Sequence, residues 1–336
     1  KKLTVNALFE RYIESKKLAD STRSNYIATW NNRVRDEIGG MKVVQVRPSH
    51  IRLFYSRLTK DGYSHSTIKL IHNLLYPSFE MAVDDDIIRK NPAKDALGDN
   101  GEPAKEKMAL TPSHQNRLLS FVERSSVYNM YLPMLQIMIG TGCRCGELIG
   151  LTWADVDMEK KEVSISCQLI YKNYGDGYKF HVSTPKTDAG IRKIPMSETV
   201  YKAFTAQKRQ NFLQRIQRNV EIEGRTDFIF MSKNGRPLMP SAVKNVLYNI
   251  VAAYNKQETE QAKKEKREAE CMPSISAHTL RHTGCTRMAE QGLDMKVVQY
   301  IMGHANIGVT MEVYNHITER ARIENEIAKM DAVQIV

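Results

Sequence analysis

Apolar residues recur at three- and four-residue steps through most of the first hundred positions, a spacing that predicts helices. Leu3 to Phe9 leads into Tyr12-Ile13 as a first helix. Asp20-Ser21-Thr22 reads as an N-cap cluster before a second, which carries Tyr26, Ile27 and Trp30 and is broken by Gly39-Gly40. Arg47-Pro48-Ser49 opens a third, with an apolar stripe of Ile51, Leu53, Phe54 and Leu58. Ser64-His65-Ser66-Thr67 caps a fourth through Ile68, Ile71, Leu75, Phe79 and Val83, and Pro77 is expected to kink or restart it. Asn91-Pro92 ends the unit. Four such helices make a compact bundle.

The pattern then stops. Residues 98–108 hold Gly, Pro and charge without periodicity, so a domain boundary is placed there. Thr111-Pro112 opens a new helix with a cap followed by Pro. An apolar helix from Tyr131 to Ile139 runs into Gly140-Thr141-Gly142-Cys143-Arg144. Glu162 to Ile170 alternates and reads as a strand. Asn173 to Gly177 is a turn, and Lys179–Thr184 with Gly190–Pro195 reads as a hairpin around Lys186. Ser197 caps a long helix, Asp227–Met231 reads as a short strand, and Pro240 opens a further helix. The charged run Gln257–Glu270 reads as a solvated helix end or an insert. Helices from about Ser276, Asp294 and Asn306 complete the chain. The expected fold class is mainly α with a small antiparallel β-sheet (α+β).

Charge sharpens this picture. In 336 residues, 49 Lys and Arg against 38 Asp and Glu leave a net charge of +11. Such an excess suits a polyanion partner, because Lys and Arg against phosphates release counterions. No apolar run reaches the roughly 18 residues a membrane span needs, and no signal peptide is visible. The five Cys are scattered, which fits a reducing cytosol rather than a disulfide scaffold. Cys143-x-Cys145 with His278 and His282 matches no common zinc spacing, so packed thiols are the better reading.

Several side chains carry chemistry. Arg144 follows a Gly-containing turn at the start of a helix, where backbone N–H groups also favour an anion, and Glu147 is placed to orient its guanidinium. The same pair is also what a plain surface ion pair looks like. Lys186, in Pro185-Lys186-Thr187, is either an exposed turn Lys or a mobile acid able to protonate a departing alkoxide. His278 and Arg281, three apart, share a helix face, and Arg can clamp two phosphate oxygens. His282 points elsewhere on this reading and is left out. His304 follows Gly303, which permits a sharp turn that aims the imidazole. Tyr300, among Val297, Val298 and Ile301, reads as core. Tyr314 follows Thr310 at i+4, precedes polar residues, and is the preferred nucleophile. A phenol is a weak nucleophile at its usual pKa of about 10 and needs positive groups on the attacked phosphate.

The set Gly142-Cys143-Arg144, Pro185-Lys186-Thr187, His278-Thr279-Leu280-Arg281, Gly303-His304 and Tyr314 resembles the tyrosine recombinase (phage integrase) family, most of all integrases of conjugative transposons. The resemblance implies a two-domain DNA clamp. Residues 1–97 would be a helical core-binding domain and 98–110 a linker. Residues 111–317 would be the catalytic domain, and 318–336 a tail that is either a helix packed on its own domain or, the preferred reading, a segment donated to a neighbouring protomer. Such integrases usually carry a further N-terminal arm-binding domain, so the Lys1-Lys2 start is expected of a truncation.

The mechanism implied is site-specific recombination. Tyr314 attacks a DNA phosphodiester, forms a 3′-phosphotyrosyl bond and frees a 5′-hydroxyl, and exchange proceeds through a Holliday junction. Arg144 and Arg281 hold the non-bridging oxygens, His304 donates to the same phosphate, Lys186 protonates the leaving oxygen, and His278 assists proton transfer at Tyr314. No cofactor or metal is implied. The implied partners are double-stranded DNA at transposon ends and target site, further copies of the chain (a dimer per duplex, a tetramer in the synapse) and an excision factor, with no membrane. The implied location is the bacterial cytoplasm, on DNA. Ser21, Arg23, Asn25, Lys69, His72, Lys233, Arg236 and Lys244 are candidate DNA contacts. A type IB topoisomerase and a non-catalytic DNA-binding protein are the competing classes.

Overall fold

In the computed structural model the described residues are 3–102, 109–175, 177–185, 187–214 and 220–315, with backbone only for 312–315. The described residues divide into two compact units, the first of 3–102 with 174–175 and the second of the remainder from 109 onward. Residues 318–336, read above as a donated tail, lie outside the description.

The first unit rests on α1 (Val5–Glu14), α2 (Asp20–Arg33), α3 (Pro48–Lys60) and α4 (His65–Asp84). Thr4 caps α1, its hydroxyl accepting from the Ala7 N–H. Phe9 of α1 stacks on Trp30 of α2 with ring centroids 3.9 Å apart. The Trp30 indole N–H donates to Asn6 Oδ1 at 2.8 Å, so this buried aromatic keeps its polar partner. Leu8, Trp30, Ile51, Phe54, Ile68, Leu75 and Phe79 meet in one core.

Some local expectations shift. The second helix starts at Asp20 behind Ala19, without a side-chain cap. It ends at Arg33, not at Gly39, because the chain turns back so that the Gly39 carbonyl accepts the Asn6 N–H at 2.9 Å. Leu53 is exposed, and Tyr55 takes its place in the buried stripe of α3. The helix is not restarted at Pro77 and runs on to Asp84. Proline leaves the Asn73 carbonyl without its usual donor, but Asn73 is on the exposed side, where water serves.

The second unit is built around α6 (Leu132–Thr141), buried along nearly its whole length. Against it pack α5 (Pro112–Arg124), α8 (Glu198–Leu213) and α10 (Ala277–Glu290). Caps fall where the sequence puts them: Thr111 on α5, Ser197 on α8, Ser276 on α10. The long α9 (Pro240–Glu265) absorbs most of the charged run, which is therefore largely the end of a helix. The short α7 (Cys145–Gly150), α11 (Met295–Met302) and α12 (Ile307–Asn315) complete the helices, and α12 packs on α10 and α11.

The sheets differ from expectation. The strand read at 162–170 breaks at Ser166-Cys167 into β2 (Glu162–Ile165) and β3 (Gln168–Asn173), which belong to different sheets. The hairpin is β3 with β4 (Tyr178–Ser183). The next strand, β5 (Arg192–Pro195), does not pair with β4. It lies antiparallel to β2, Val163 opposite Ile194 and Ile165 opposite Arg192. Two-residue β1 (Val156–Asp157) closes that sheet on the other side of β2. Residues 227–231 form no ladder. Phe228, Ile229 and Phe230 are consecutive buried residues in a bent segment held by isolated bridges and the Ile229 N–H to Leu151 carbonyl bond. The architecture is mainly helical with small antiparallel sheets.

Candidate active site

Three helix ends of the second unit are joined by hydrogen bonds. The first is the turn between α6 and α7. Gly142 ends α6 in the left-handed region (φ 60°), and a Cβ there would run into Met302 Sδ. Two residues on, Arg144 is the N-cap of α7. Its backbone N–H donates to Glu147 Oε2 at 2.9 Å, Nη1 to Oε1 at 2.7 Å, and Nη2 to the Gly303 carbonyl at 3.2 Å. Sequence alone left this pair open between an exposed ion pair and a positioned guanidinium. The Glu147 side chain is only 3% exposed and the guanidinium is part-exposed, which fits a positioned cation.

The second end is the C-terminus of α11. Gly303, also left-handed at φ 60°, closes the helix and turns the chain into His304. A Cβ on Gly303 would stand 2.9 Å from Arg192 Nη1 and 3.0 Å from the Ala189 carbonyl, so the close approach requires glycine. The third is the N-terminal part of α10. Buried Arg281 reaches from it, with Nη1 donating to the Gly142 carbonyl and Nη2 to the Met302 carbonyl. One guanidinium thus joins the turn that presents Arg144 to the turn that presents His304.

Arg192, absent from the sequence-based candidates, ties the site together. Its side chain is fully buried, opposite Glu147 at 2.9 Å. Nε donates to the Ile301 carbonyl at 2.6 Å, Nη1 to the Gly190 carbonyl at 3.0 Å, and both Nη groups to Glu147. Burial alone would raise the Glu147 pKa. The Arg192 hydrogen bond and charge, with the Arg144 backbone N–H and charge, outweigh it and hold the carboxyl below its usual range. Gln168, Pro185, Thr187 and Gly190 line the remainder of a cleft of about 210 Å³ with Arg144, Glu147 and Gly303.

The imidazoles divide by environment. Burial first, then the charges of Arg281, Arg144, His282 and Arg192, push His304 down to about 4, so it is neutral at neutral pH. Its Nδ1 lies 3.0 Å from Oγ1 of Thr310, which is fully buried on α12. His278 is exposed on α10, its ring edge-on to His282 with centroids 5.2 Å apart. His282, set aside on sequence, therefore shares a face with His278 at i+4 and contributes to the field at His304. Tyr300 is not core. Val298 and Met302 fill the inward face of α11, and Tyr300 stands 53% exposed with its hydroxyl accepting the Lys193 N–H. Tyr314 falls in α12, one turn beyond Thr310. Its side chain and the whole of Lys186 lie outside the described residues.

Among the described residues no group of three or more His, Cys, Asp or Glu is placed to hold a metal. Burial pushes the Cys143 thiol up to about 12 and that of Cys145 up to about 11, so neither is a thiolate at neutral pH. No described helix is long and apolar enough to cross a membrane.

The candidate DNA contacts are varied. Lys69, Lys233, Arg236, Lys244 and Asn25 are exposed, and Ser21 is half-buried at the start of α2. The Arg23 guanidinium donates to the Ile13 and Lys16 carbonyls, so it ties down the end of α1. His72 bonds the Tyr55 hydroxyl at 3.1 Å, and burial lowers its pKa.

The transposase from transposon Tn916 of Enterococcus faecalis is 34% identical over 288 residues, 84% of this chain and 66% of that protein. The chain thus spans just under two thirds of that relative's length. A XerC-like tyrosine recombinase of Caldanaerobacter subterraneus subsp. tengcongensis is 25% identical over 94% of this chain and 78% of its own length. The Tn1549 transposon integrase, solved in complex with a circular intermediate DNA, superposes with a TM-score of 0.82 at 31% identity, covering 97% of this chain and 99% of that one. The phage integrase family model matches residues 109–320, which take in the cleft and the helices around it, and the chain belongs to that family.

Proposed function

We propose that this chain is a site-specific DNA recombinase, the integrase of a conjugative transposon, which cuts and rejoins DNA through a 3′-phosphotyrosyl intermediate. The observation that carries this reading is that Arg281 bonds both the turn that presents Arg144 and the turn that presents His304, so that the charges of both guanidiniums act on that imidazole. Two guanidiniums and a neutral imidazole suit the charge that grows on a phosphate under attack. The Tyr314 oxygen attacks phosphorus and its proton passes to base, assisted by His278. The bond to the 5′-oxygen breaks, and Lys186 protonates that oxygen as it leaves. A 5′-hydroxyl from the partner duplex then attacks the phosphotyrosyl bond and releases the phenol. The bond energy stays on the enzyme between steps, so no nucleotide is consumed.

Exchange between two duplexes breaks four strands in turn. One tyrosine per strand requires four protomers, two on each duplex, with a Holliday junction between the two rounds. Residues 1–97 act as a second DNA-holding unit connected through 98–110. The substrates are transposon ends and a target site in the bacterial cytoplasm, and an excision factor sets direction. The Tn1549 integrase, bound to a circular intermediate DNA, supports this substrate class.

A test separates recombination from simple relaxation. Two linear duplexes bearing the element's terminus are incubated with the protein, and a supercoiled plasmid without that site is assayed beside them. Recombinant joints from the first and no relaxation of the second are expected. Relaxation without joints would instead identify a topoisomerase.

A further inference from the structure

His304 is held at three points. Its backbone N–H donates to the Gln299 carbonyl at 3.1 Å, and Gln299 Nε2 donates to the His304 carbonyl at 3.0 Å. With the backbone pinned on both sides, side-chain rotation is the freedom left. The third contact, Nδ1 to Thr310 Oγ1 at 3.0 Å, sets that rotation. Thr310 is fully buried, and the helix it stands on carries Tyr314 one turn later. A neutral imidazole holds a single ring proton, so the partner of Nδ1 decides what Nε2 has to offer. If Thr310 accepts, Nε2 is a lone pair and repels a phosphate oxygen. If Thr310 donates, Nε2 keeps the proton on the far edge of the ring and becomes a donor.

We propose that Thr310 is a positioning residue for the recombination reaction. Its hydroxyl donates to His304 Nδ1, fixes the Nε2–H tautomer, and fastens the phosphate-binding imidazole to the helix that bears the nucleophile. The His304 donor and Tyr314 then come into place together. A shift of α12 out of its seat withdraws the nucleophile and frees the imidazole in one movement. The proposal rests on the recombinase reading for its purpose, while the hydrogen bond itself does not.

The test uses the chain labelled with ¹⁵N-histidine at neutral pH, without DNA, and single-turnover cleavage of a nicked duplex. Wild-type His304 should be the Nε2–H tautomer, as should Thr310→Ser. Thr310→Val, similar in shape but without a donor, should lose that single state. It should cleave on the order of 10- to 100-fold more slowly, with DNA affinity changed by less than about twofold. Thr310→Ser should cleave within about threefold of wild type, because the donor is kept. An Nδ1–H tautomer in the wild type overturns the proposal, and it decides the matter even where Thr310→Val fails to fold. So does Thr310→Val cleaving at the wild-type rate. An Nε2–H tautomer in a wild-type protein that never cuts DNA overturns the recombinase reading, and with it the catalytic purpose of the bond.

Discussion

Replacing Arg144 by Lys is expected to slow cleavage of a nicked suicide duplex by about 10²–10³-fold, the usual loss for one preorganised transition-state donor. Affinity for the same duplex should stay within about threefold, because the positive charge that displaces counterions is kept. The reason is geometric. Arg144 uses one Nη on Glu147 and the other on the Gly303 carbonyl, so the plane of its fork is fixed before any phosphate arrives. An ammonium on a flexible stem satisfies one of those partners and presents no second parallel N–H. Single-turnover kinetics beside equilibrium DNA binding measure both quantities. Cleavage within tenfold of wild type would mean Arg144 is a structural partner of Glu147 only.

Arg192→Met should have the largest effect on the fold itself. Removing one partner of a buried ion pair leaves an uncompensated charge and costs about 3–5 kcal/mol. Here Glu147 keeps the Arg144 Nη1 and backbone N–H bonds but loses both bonds from Arg192, which places the cost at the low end of that range, and the Gly190 and Ile301 carbonyls lose their donors as well. The dependence on pH follows from the lowered Glu147 pKa. In the wild type this contribution is fully present above the ordinary carboxylate value of 4.5 and is lost as pH falls through the lower folded-state value. Arg192→Met removes that acid-sensitive component, because burial then raises the carboxyl with less to oppose it. Urea unfolding at pH 7 and pH 4 measures both effects. The double variant Arg192→Met with Glu147→Met should regain most of the stability, since apolar side chains tolerate this burial. It should not regain cleavage, because Arg144 then has no carboxylate to hold it. A double variant that cleaves normally would deny the buried pair any part in placing Arg144.

The helices were legible because caps and apolar spacing are local signals: Thr111-Pro112, Ser197, Ser276 and Asp294 each begin a helix. Arg144, Arg281 and His304 were legible for a related reason, as each sits in or beside a helix end that glycine or a cap marks. The sheet was not legible, because strand partners are set by contacts between distant residues. Arg192-Lys193 reads as part of one side of a hairpin, yet β5 pairs with β2 and the register turns Arg192 inward. A period of two did carry the hint. Arg192, Ile194 and Met196 are buried while Ile191, Lys193 and Pro195 are exposed, so Arg192 shares the inner face with two apolar residues. In sequence Thr310 shows only its spacing from Tyr314. Its bond to His304 depends on the Gly303 turn, which no local pattern gives in three dimensions. Following Arg281 by one residue, His282 reads in sequence as pointing elsewhere, although it stands one helical turn from His278.

The central claim is that a phenol of this chain becomes joined to DNA at a phosphate held by Arg144, Arg281 and His304. The most direct measurement is trapping on a nicked duplex carrying the element's own terminus, followed by protease digestion and mass spectrometry of the peptide left on the DNA. The account predicts a 3′-phosphate ester on Tyr314, abolished in Tyr314→Phe with DNA binding retained. A 5′ linkage, an adduct on Tyr300 or any other residue, or no adduct on a duplex that the protein binds would contradict it.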